Sequence, residues 1–289
     1  MRSKLAWVVL FLPALLAAQE RFPVRGKIVN EKGEAVEYVQ VGVPKHQIGT
    51  ISTADGRFEI SMPADTLDFF HVSYQAAHLP VTGPVDNVVI VLHEQELPPA
   101  VFIGGNTKEK YLLRTGKNLL GDHGAIGISL QDGDFTGKEL GSVAQTKKPF
   151  LVQDISLTVH DNRIPDCIAS INIYRIEGPE ESFVNVLHKP IYFDVAVSDA
   201  PRKYDLHPEE TLLLEPGRYF IAFQIVGCDE AALQAFLAKP MEERIHEMYI
   251  NFYIYLKSSY LRKSALGEMK HYPVNIGISI KGLEYQTKD

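Results

Sequence analysis

The chain has 289 residues, of which 45% are hydrophobic, and a formal net charge of −7 at pH 7. This hydrophobic content can fill the cores of two domains of ordinary size. The acidic balance argues against a nucleic-acid-binding surface and against a polybasic membrane-binding patch.

The first 18 residues have the organisation of a secretory signal peptide. Arg2 and Lys4 form a short basic start, residues 5–16 form an apolar run, and the small residues Ala17 and Ala18 precede the expected cleavage site. An uncleaved N-terminal anchor is the alternative. We expect export to the periplasm or to the outer-membrane or cell surface. No second long apolar run follows, so we expect no transmembrane segment after signal cleavage.

Short strand patterns fill residues 22–93. Runs rich in Val, Ile and Phe are separated by turn residues, which is typical of a β-sandwich. The segment from Asn30 to Gly33 predicts a turn. The Asp55-Gly56 pair predicts a hairpin between strands at 49–53 and 57–61, because Asp-Gly readily adopts the positive φ angles of such a turn.

A set of turn and strand-entry residues is distributed through residues 21–93. Its members are Gly26, Gly33, Glu37-Tyr38-Val39, Gly49-Thr50 and Thr53-x-Asp55-Gly56-x-Phe58. Together they resemble the carboxypeptidase regulatory-like domain, which is of the transthyretin type. The resemblance implies a prealbumin-like Greek-key β-sandwich in which Phe58 fills the core just after the turn. It implies no carboxypeptidase activity.

Residues 94–124 are polar and of mixed composition, which predicts a linker with room for one short helix. Glycines then recur up to Gly141, and we expect them to form tight turns between strands. A phosphate-binding loop is disfavoured because no GxxxxGK[ST] motif is present. Asp132 and Asp134 suggest either a solvated turn or a calcium site, which takes about six to eight oxygen ligands.

Strand patterns resume through residues 125–286. The predicted strands lie at 150–159, 169–176, 190–197, 211–214, 218–226, 249–256 and 274–280. Their order resembles a jelly-roll-like β-sandwich of bacterial envelope proteins, which often follows the regulatory-like domain. The predicted fold class is therefore all-β, with two β-sandwich domains.

The segment 229–248 interrupts the strand pattern and predicts a short helical insertion in the second sandwich. Asp229 is a suitable N-cap, and Leu233, Phe236 and Leu237 form a narrow apolar face. We expect Pro240 to divide the segment into two short helices, because proline removes a helical hydrogen bond.

Cys167 and Cys228 are the two cysteines of the chain. Cys167 precedes one predicted strand and Cys228 follows another. If these strands are antiparallel neighbours, the two sulfurs lie close enough for a disulfide, which export permits. Two free, half-buried thiols are the alternative.

No sequence motif predicts catalysis. The chain has no HExxH, GxSxG or CxxC motif. His207 and Glu210 have the H-x-x-E spacing of a zinc site, but Pro208 between them favours a surface turn. We therefore expect no enzymatic activity, no cofactor and no metal.

One strand carries a stripe of polar aromatic side chains. Tyr249, Asn251, Tyr253 and Tyr255 share one face of it, because alternate residues of a strand point the same way. Tyrosine rings can form a platform for a sugar ring. The alternative is packing beneath the helical insertion or against a neighbouring domain.

These observations favour an exported, non-catalytic binding or structural module of the bacterial cell envelope. The expected partner is an envelope protein or a glycan, and not a nucleic acid. A carbohydrate-binding accessory protein is the first alternative, and a hydrolase of unrecognised type is the second.

Overall fold

The computed structural model describes residues 20–96, 105–115, 125–130, 137–244 and 247–286. Within these ranges the chain is mainly β-structure, arranged in sandwiches, with one short α-helix. The predicted all-β fold with two β-sandwiches and a helical insertion is thus confirmed. The predicted signal peptide and the Asp132 and Asp134 pair lie outside the described residues. No helix in these ranges is long and apolar enough to cross a bilayer.

The N-terminal unit is a sandwich of two sheets. Its strands are β1 (Phe22–Asn30), β2 (Gln40–Val43), β3 (Ile48–Ile51), β4 (Arg57–Met62), β5 (Asp65–Phe70), β6 (Ala77–Val81) and β7 (Val85–Leu92). One sheet has the order β4-β1-β7 and the other has the order β3-β2-β5-β6. Alternate residues of β4 are buried between the two sheets, and Phe58 is among them, as predicted.

The turn at Asp55-Gly56 connects the two sheets, so the predicted hairpin is wrong. Strand β3 pairs with β2, whereas β4 pairs with β1. The Gly56 carbonyl accepts a hydrogen bond from the Ile28 backbone N–H at 2.9 Å. The hydrogen bonding between β1 and this part of the chain therefore begins at Gly56, directly before β4. The positive φ predicted for Gly56 is present, at 79°.

The second unit contains the remaining described strands. They are β8 (Thr107–Leu113), β9 (Ala125–Ser129), β10 (Glu139–Thr146), β11 (Phe150–Asn162), β12 (Cys167–Glu177), β13 (Ser182–Asn185), β14 (Ile191–Val195), β15 (Arg202–Leu206), β16 (Leu213–Leu214), β17 (Gly217–Gly227), β18 (Tyr249–Tyr255), β19 (Ser259–Arg262), β20 (Met269–Tyr272), β21 (Asn275–Ile276) and β22 (Ile278–Tyr285).

These strands form two large sheets with a core between them. A seven-stranded sheet has the order β13-β12-β17-β10-β19-β20, with β14 also paired to β12. An eight-stranded sheet has the order β21-β18-β11-β22-β8, with β15 and β16 paired to β11 and β9 paired to β18. Phe150, Phe223 and Phe252 are buried in the core.

Part of the predicted linker is a strand. Strand β8 pairs antiparallel with β22 and so belongs to the second unit. Most of its residues are exposed, which gives it the polar composition that suggested a linker. Two of the glycines expected in turns, Gly127 and Gly141, lie within strands β9 and β10. At Gly141 a Cβ would lie 1.9 Å from the Ile221 carbonyl oxygen, so close strand packing explains the glycine.

The helical insertion follows its predicted pattern. Helix α1 (Glu230–Leu237) begins after Asp229, whose carboxylate accepts a hydrogen bond from the Ala232 backbone N–H at 2.9 Å. Its Phe236 is buried against the core of the second unit. Beyond Pro240 the chain makes a single 3-10 turn (Met241–Glu243), as expected of a segment that proline divides.

A loop of the second unit docks on the N-terminal unit. It connects β19 to β20, and its Ala265 is completely buried. Ser264 Oγ donates to the Gln47 carbonyl oxygen at 3.0 Å, and the Glu268 backbone N–H donates to Gln47 Oε1 at 2.8 Å. Beside this contact the rings of Tyr38 and Tyr192 meet edge to face at 5.1 Å. These contacts hold the two units against each other.

Candidate functional site

Strands β12 and β17 are buried on both faces. Almost every residue from Ala169 to Tyr174 and from Tyr219 to Val226 is inaccessible to solvent. One face of each strand contributes to the core of the second unit. The other face carries polar residues, among them Asn172 and Gln224, and lies against the N-terminal unit across a narrow gap.

A hydrogen-bonded network fills this second face around Glu139, which is fully buried. Glu139 Oε1 accepts hydrogen bonds from Asn172 Nδ2 at 2.8 Å and from the Tyr174 hydroxyl at 2.7 Å. Arg262 Nη1 lies 3.2 Å from Glu139 Oε2 and donates to the Tyr174 hydroxyl oxygen, also at 3.2 Å. Gln224 Oε1 accepts from Asn172 Nδ2 at 3.2 Å.

The network contains a buried ion pair. Burial raises the pKa of Glu139, and this effect is opposed by Arg262, Tyr174 and Asn172. The Tyr174 hydroxyl and the Asn172 amide donate to the carboxylate, and the positive charge of Arg262 also favours its ionised form. A buried pair of this kind is stable only when further hydrogen bonds satisfy both ions.

A cleft of about 440 Å³ opens beside the ion pair, between the two units. Its lining comes from both of them: Gln40, Phe70, Val72 and Gln95 of the N-terminal unit, and Tyr174, Phe183, Val184, Asn185, Leu187, His188, Arg262 and Leu266 of the second unit. The volume lies within the range of roughly 300–1,000 Å³ that is typical of small-ligand pockets.

Two buried polar atoms of the cleft lining have no hydrogen-bond partner in the described structure. They are Arg262 Nε and Gln40 Oε1, whose residues are only 8% and 6% exposed. An unsatisfied buried donor or acceptor costs about 1–3 kcal/mol.

One wall of the cleft is held in place by Glu210. Its Oε1 accepts hydrogen bonds from the backbone N–H groups of His188 at 2.9 Å and Lys189 at 3.1 Å. The Ser73 hydroxyl donates to the His188 carbonyl oxygen at 2.9 Å and so ties this wall to the N-terminal unit. His207, the other end of the H-x-x-E spacing, instead pairs with Asp154 at 2.8 Å.

The predicted tyrosine stripe lies elsewhere. As predicted, its residues share one face of β18, opposite the buried Ile250 and Phe252. That face is half-buried against side chains of β11 and the residue after it. Asn251 donates to Asp161 Oδ2 at 3.1 Å, the His160 ring meets Tyr253 at 4.8 Å, and the Arg163 guanidinium lies over Tyr249 at 5.6 Å.

The last residue of the stripe, Tyr255, has different surroundings. Its ring borders Gly277, and it lines a smaller cavity of about 240 Å³. None of the four stripe residues lines the cleft between the units. Their role in ligand binding remains a prediction.

The two cysteines lie at the ends of neighbouring strands, but they are not bonded. Strands β12 and β17 are antiparallel and pair Ile168 with Gly227, which brings Cys167 beside Cys228. Both thiols are free in the structure. Burial raises the pKa of each to about 12.

The cleft residues were not singled out by the sequence patterns. Asn172 and Gln224 interrupt runs of apolar strand residues, and that interruption is a local signal for a buried polar network. Glu139 and Arg262 give no such signal, because their pairing depends on strands β10 and β19, which are far apart in the chain.

No protein-family model matches the chain, and no curated protein matches it. The chain is similar to solved structures of DUF3823 family proteins. One from Bacteroides ovatus has 11% sequence identity and a TM-score of 0.21, over 72% of this chain and 97% of that chain. One from Parabacteroides merdae has 9% identity and a TM-score of 0.21, over 89% of this chain and 98% of that chain.

A third similar structure is of carbohydrate-binding modules from the β-sandwich superfamily. It has 9% identity and a TM-score of 0.21, over 89% of this chain and 88% of that chain.

Proposed function

We propose that the chain is an exported, non-catalytic binding module of the bacterial cell envelope, and that its ligand binds in the cleft between the two units. Export is proposed from the signal-peptide pattern of the first 18 residues. The envelope assignment is proposed from the resemblance of residues 21–93 to the regulatory-like domain. The seven strands of the N-terminal unit, in two sheets, support that resemblance.

One observation carries the choice of the cleft. Its lining of apolar and polar side chains comes from both units, with Phe70 and Gln95 on one side and Leu187 and Asn185 on the other. A ligand bound there would contact both units and so stabilise the contact between them. A non-catalytic role is proposed because the charged groups near the cleft are already engaged: Arg262 with Glu139, and His188 with Glu210.

The test uses two exposed valines as a matched pair. Val184 lines the cleft and is 47% exposed, whereas Val197 is 55% exposed and does not line it. Val184→Trp should obstruct the cleft without disturbing a core, and Val197→Trp is the control. The ligand panel contains neutral monosaccharides, uronic acids and short peptides, and binding is followed by ligand-observed NMR.

We expect at least one class of ligand to bind the wild type and Val197→Trp but not Val184→Trp. If no class in the panel shows this difference, the cleft is not the binding site and the proposal fails. Tyr253→Ala in the same panel tests the tyrosine stripe, and loss of binding in this variant alone would place the site there instead.

A further inference from the structure

Strand β7 forms a free edge of the N-terminal unit. It is the last strand of the sheet β4-β1-β7, and no other described strand pairs with its open side. The backbone N–H and C=O groups along that side therefore have no strand partner among the described residues. An edge of this kind is a template on which another extended chain can pair.

The other edges of the N-terminal unit are protected. The outward side chains of β4 include the exposed Arg57 and Glu59, and β6 contains Pro80. The loop that contains Ala265 lies against Gly49 of β3. Charges, a proline and a covering loop are the usual means by which proteins prevent a further strand from adding to a sheet.

Strand β7 has neither charges nor a proline from Val88 to Leu92. All five residues are aliphatic. Ile90 and Leu92 are buried in the core, whereas Val89 and Val91 point outward and are 60% and 45% exposed. The open edge is therefore apolar, and an added strand would remove hydrocarbon surface from water.

A positive charge lies beside the exposed valines. Lys27 of β1 pairs in register with Val89, is exposed and forms no ion pair with a described residue. Its neighbour Arg25, in contrast, is paired with Glu59 at 2.6 Å. Lys27 and Val89 border one open groove of about 720 Å³ that extends from β7 to helix α1. Lys27 is therefore available to a carboxylate from outside the chain.

We infer that β7 binds an extended segment of a partner protein, which adds to the sheet as a fourth strand and places an acidic side chain opposite Val89. Two strand spacings, about 9.5 Å, separate that side chain from Lys27, and an extended lysine and glutamate together cover this distance. The alternate side chains of the segment continue the core-facing row of Ile90 and Leu92. In this mode backbone hydrogen bonds provide affinity and the side chains provide specificity.

A second copy of the chain fits this edge less well. Each copy brings a formal net charge of −7, so two copies repel each other. The edge also has no acidic side chain from Val88 to Leu92 that could pair with Lys27 of the other copy. None of the residues that carry this inference lines the cleft between the units, so it is independent of the proposed ligand site.

The experiment measures the binding of three fluorescein-labelled peptides to the protein by fluorescence anisotropy. The peptide TVEVTVT alternates valine with threonine and carries one glutamate. In TVKVTVT a lysine replaces the glutamate. In TVEPTVT a proline replaces the central valine, which removes a backbone donor and disfavours strand pairing.

Four variants have substitutions at exposed positions, and circular dichroism checks that they fold. Val89→Glu places a carboxylate on the edge, where it repels the glutamate of the peptide and pairs with Lys27. Val197→Glu, at a valine that is 55% exposed elsewhere, is its matched control. Lys27→Glu reverses the charge beside the edge, and Lys147→Glu makes the same change at an exposed lysine of the second unit.

The wild type should bind TVEVTVT roughly fivefold more tightly than TVKVTVT, which is the effect of one exposed ion pair, and should not bind TVEPTVT. Val89→Glu should weaken the binding of TVEVTVT at least about fivefold, and Val197→Glu should leave it unchanged. Lys27→Glu should reverse the preference between the two charged peptides, and Lys147→Glu should preserve it.

Three results would overturn the inference: no binding of TVEVTVT to the wild type, equal binding of TVEPTVT, or equal binding to Val89→Glu. Sedimentation velocity tests the alternative occupant. A dimer of the wild type that Val89→Glu dissociates would assign the edge to a second copy and overturn the partner assignment. Val184→Trp should leave peptide binding unchanged, and a loss of binding in that variant would place the peptide in the cleft instead.

Discussion

The backbone carbonyl of Ala265 lies directly against Gly49: a Cβ on residue 49 would come within 2.1 Å of the carbonyl oxygen. The same loop approaches Gly42, where a Cβ would lie 2.8 Å from that oxygen. The two glycines belong to the facing strands β3 and β2 of the N-terminal unit. Their lack of side chains lets the second unit approach closely enough to form one side of the cleft.

We expect Gly49→Ala to destabilise the contact between the units by about 1–3 kcal/mol, because backbone must move to admit the methyl group. Thermal unfolding followed by circular dichroism measures the change in stability. Gly83→Ala is the control, since a Cβ at residue 83 would have no atom within 4 Å. Equal melting temperatures for the two variants would contradict the close packing at Gly49.

Removing one partner of the buried ion pair should be costly. We expect Arg262→Met to lower the free energy of unfolding by about 3–5 kcal/mol, because it leaves the Glu139 carboxylate buried without its cation. Adding Glu139→Gln in the same chain should recover most of this loss. Guanidinium denaturation measures both variants. Lys203→Met removes an exposed pair with Asp205 and should cost less than about 1 kcal/mol.

Stability should fall in mild acid because of His71, which is buried near the contact between the units. Its Nδ1 accepts from the Ser73 backbone N–H at 3.2 Å, and its Nε2 lies 3.3 Å from the Tyr192 hydroxyl. Burial lowers the pKa of His71 from 6.5 to about 4. Between these values the unfolded chain binds the proton and the folded chain does not. The contribution of His71 is thus fully present above about pH 6.5 and is lost as the pH falls toward 4.

The loss should amount to roughly 3 kcal/mol at most, from the size of the pKa shift. Urea denaturation at a series of pH values between 7 and about 4 measures it. Comparison with His71→Gln separates the contribution of the histidine to the pH dependence of stability from that of the carboxylates that titrate in the same range. Identical pH dependence in the wild type and His71→Gln would rule out this role.

The two cysteines should react slowly in the folded protein. Burial raises the pKa of both thiols to about 12, so little thiolate is present at neutral pH. Iodoacetamide at pH 7 should therefore alkylate Cys167 and Cys228 much more slowly before than after unfolding in guanidinium, as measured by mass spectrometry. Equally rapid labelling in both states would contradict their burial.

The predicted disulfide has its own test. The strand register places Cys167 beside Cys228, so prolonged treatment with an added thiol oxidant such as diamide should join them within one chain, although their low thiolate fraction makes the reaction slow. The product no longer takes up iodoacetamide after unfolding, and Cys228→Ser is the control that cannot form it. Two alkylated cysteines after treatment with oxidant would exclude the bond.

Local patterns were enough to predict many features of the fold. The alternation in β18 placed Ile250 and Phe252 in the core, and Asp229 was correctly predicted to cap the helix. These predictions succeed because each depends on residues a few positions apart, whose geometry follows from the period of a strand or from one turn of a helix.

The pairing of distant segments was decided only by the tertiary structure. Strand β4 pairs with β1 and not with β3 as predicted, and the polar strand β8 pairs with β22. Glu139 and Arg262 meet for the same reason, since β10 and β19 become neighbours only in the folded sheet. The residues themselves determine where strands form. The pairing of the strands, and with it the position of the cleft, depends on burying both faces of β12 and β17. Segments far apart in the chain provide that burial, so no local sequence pattern predicts it.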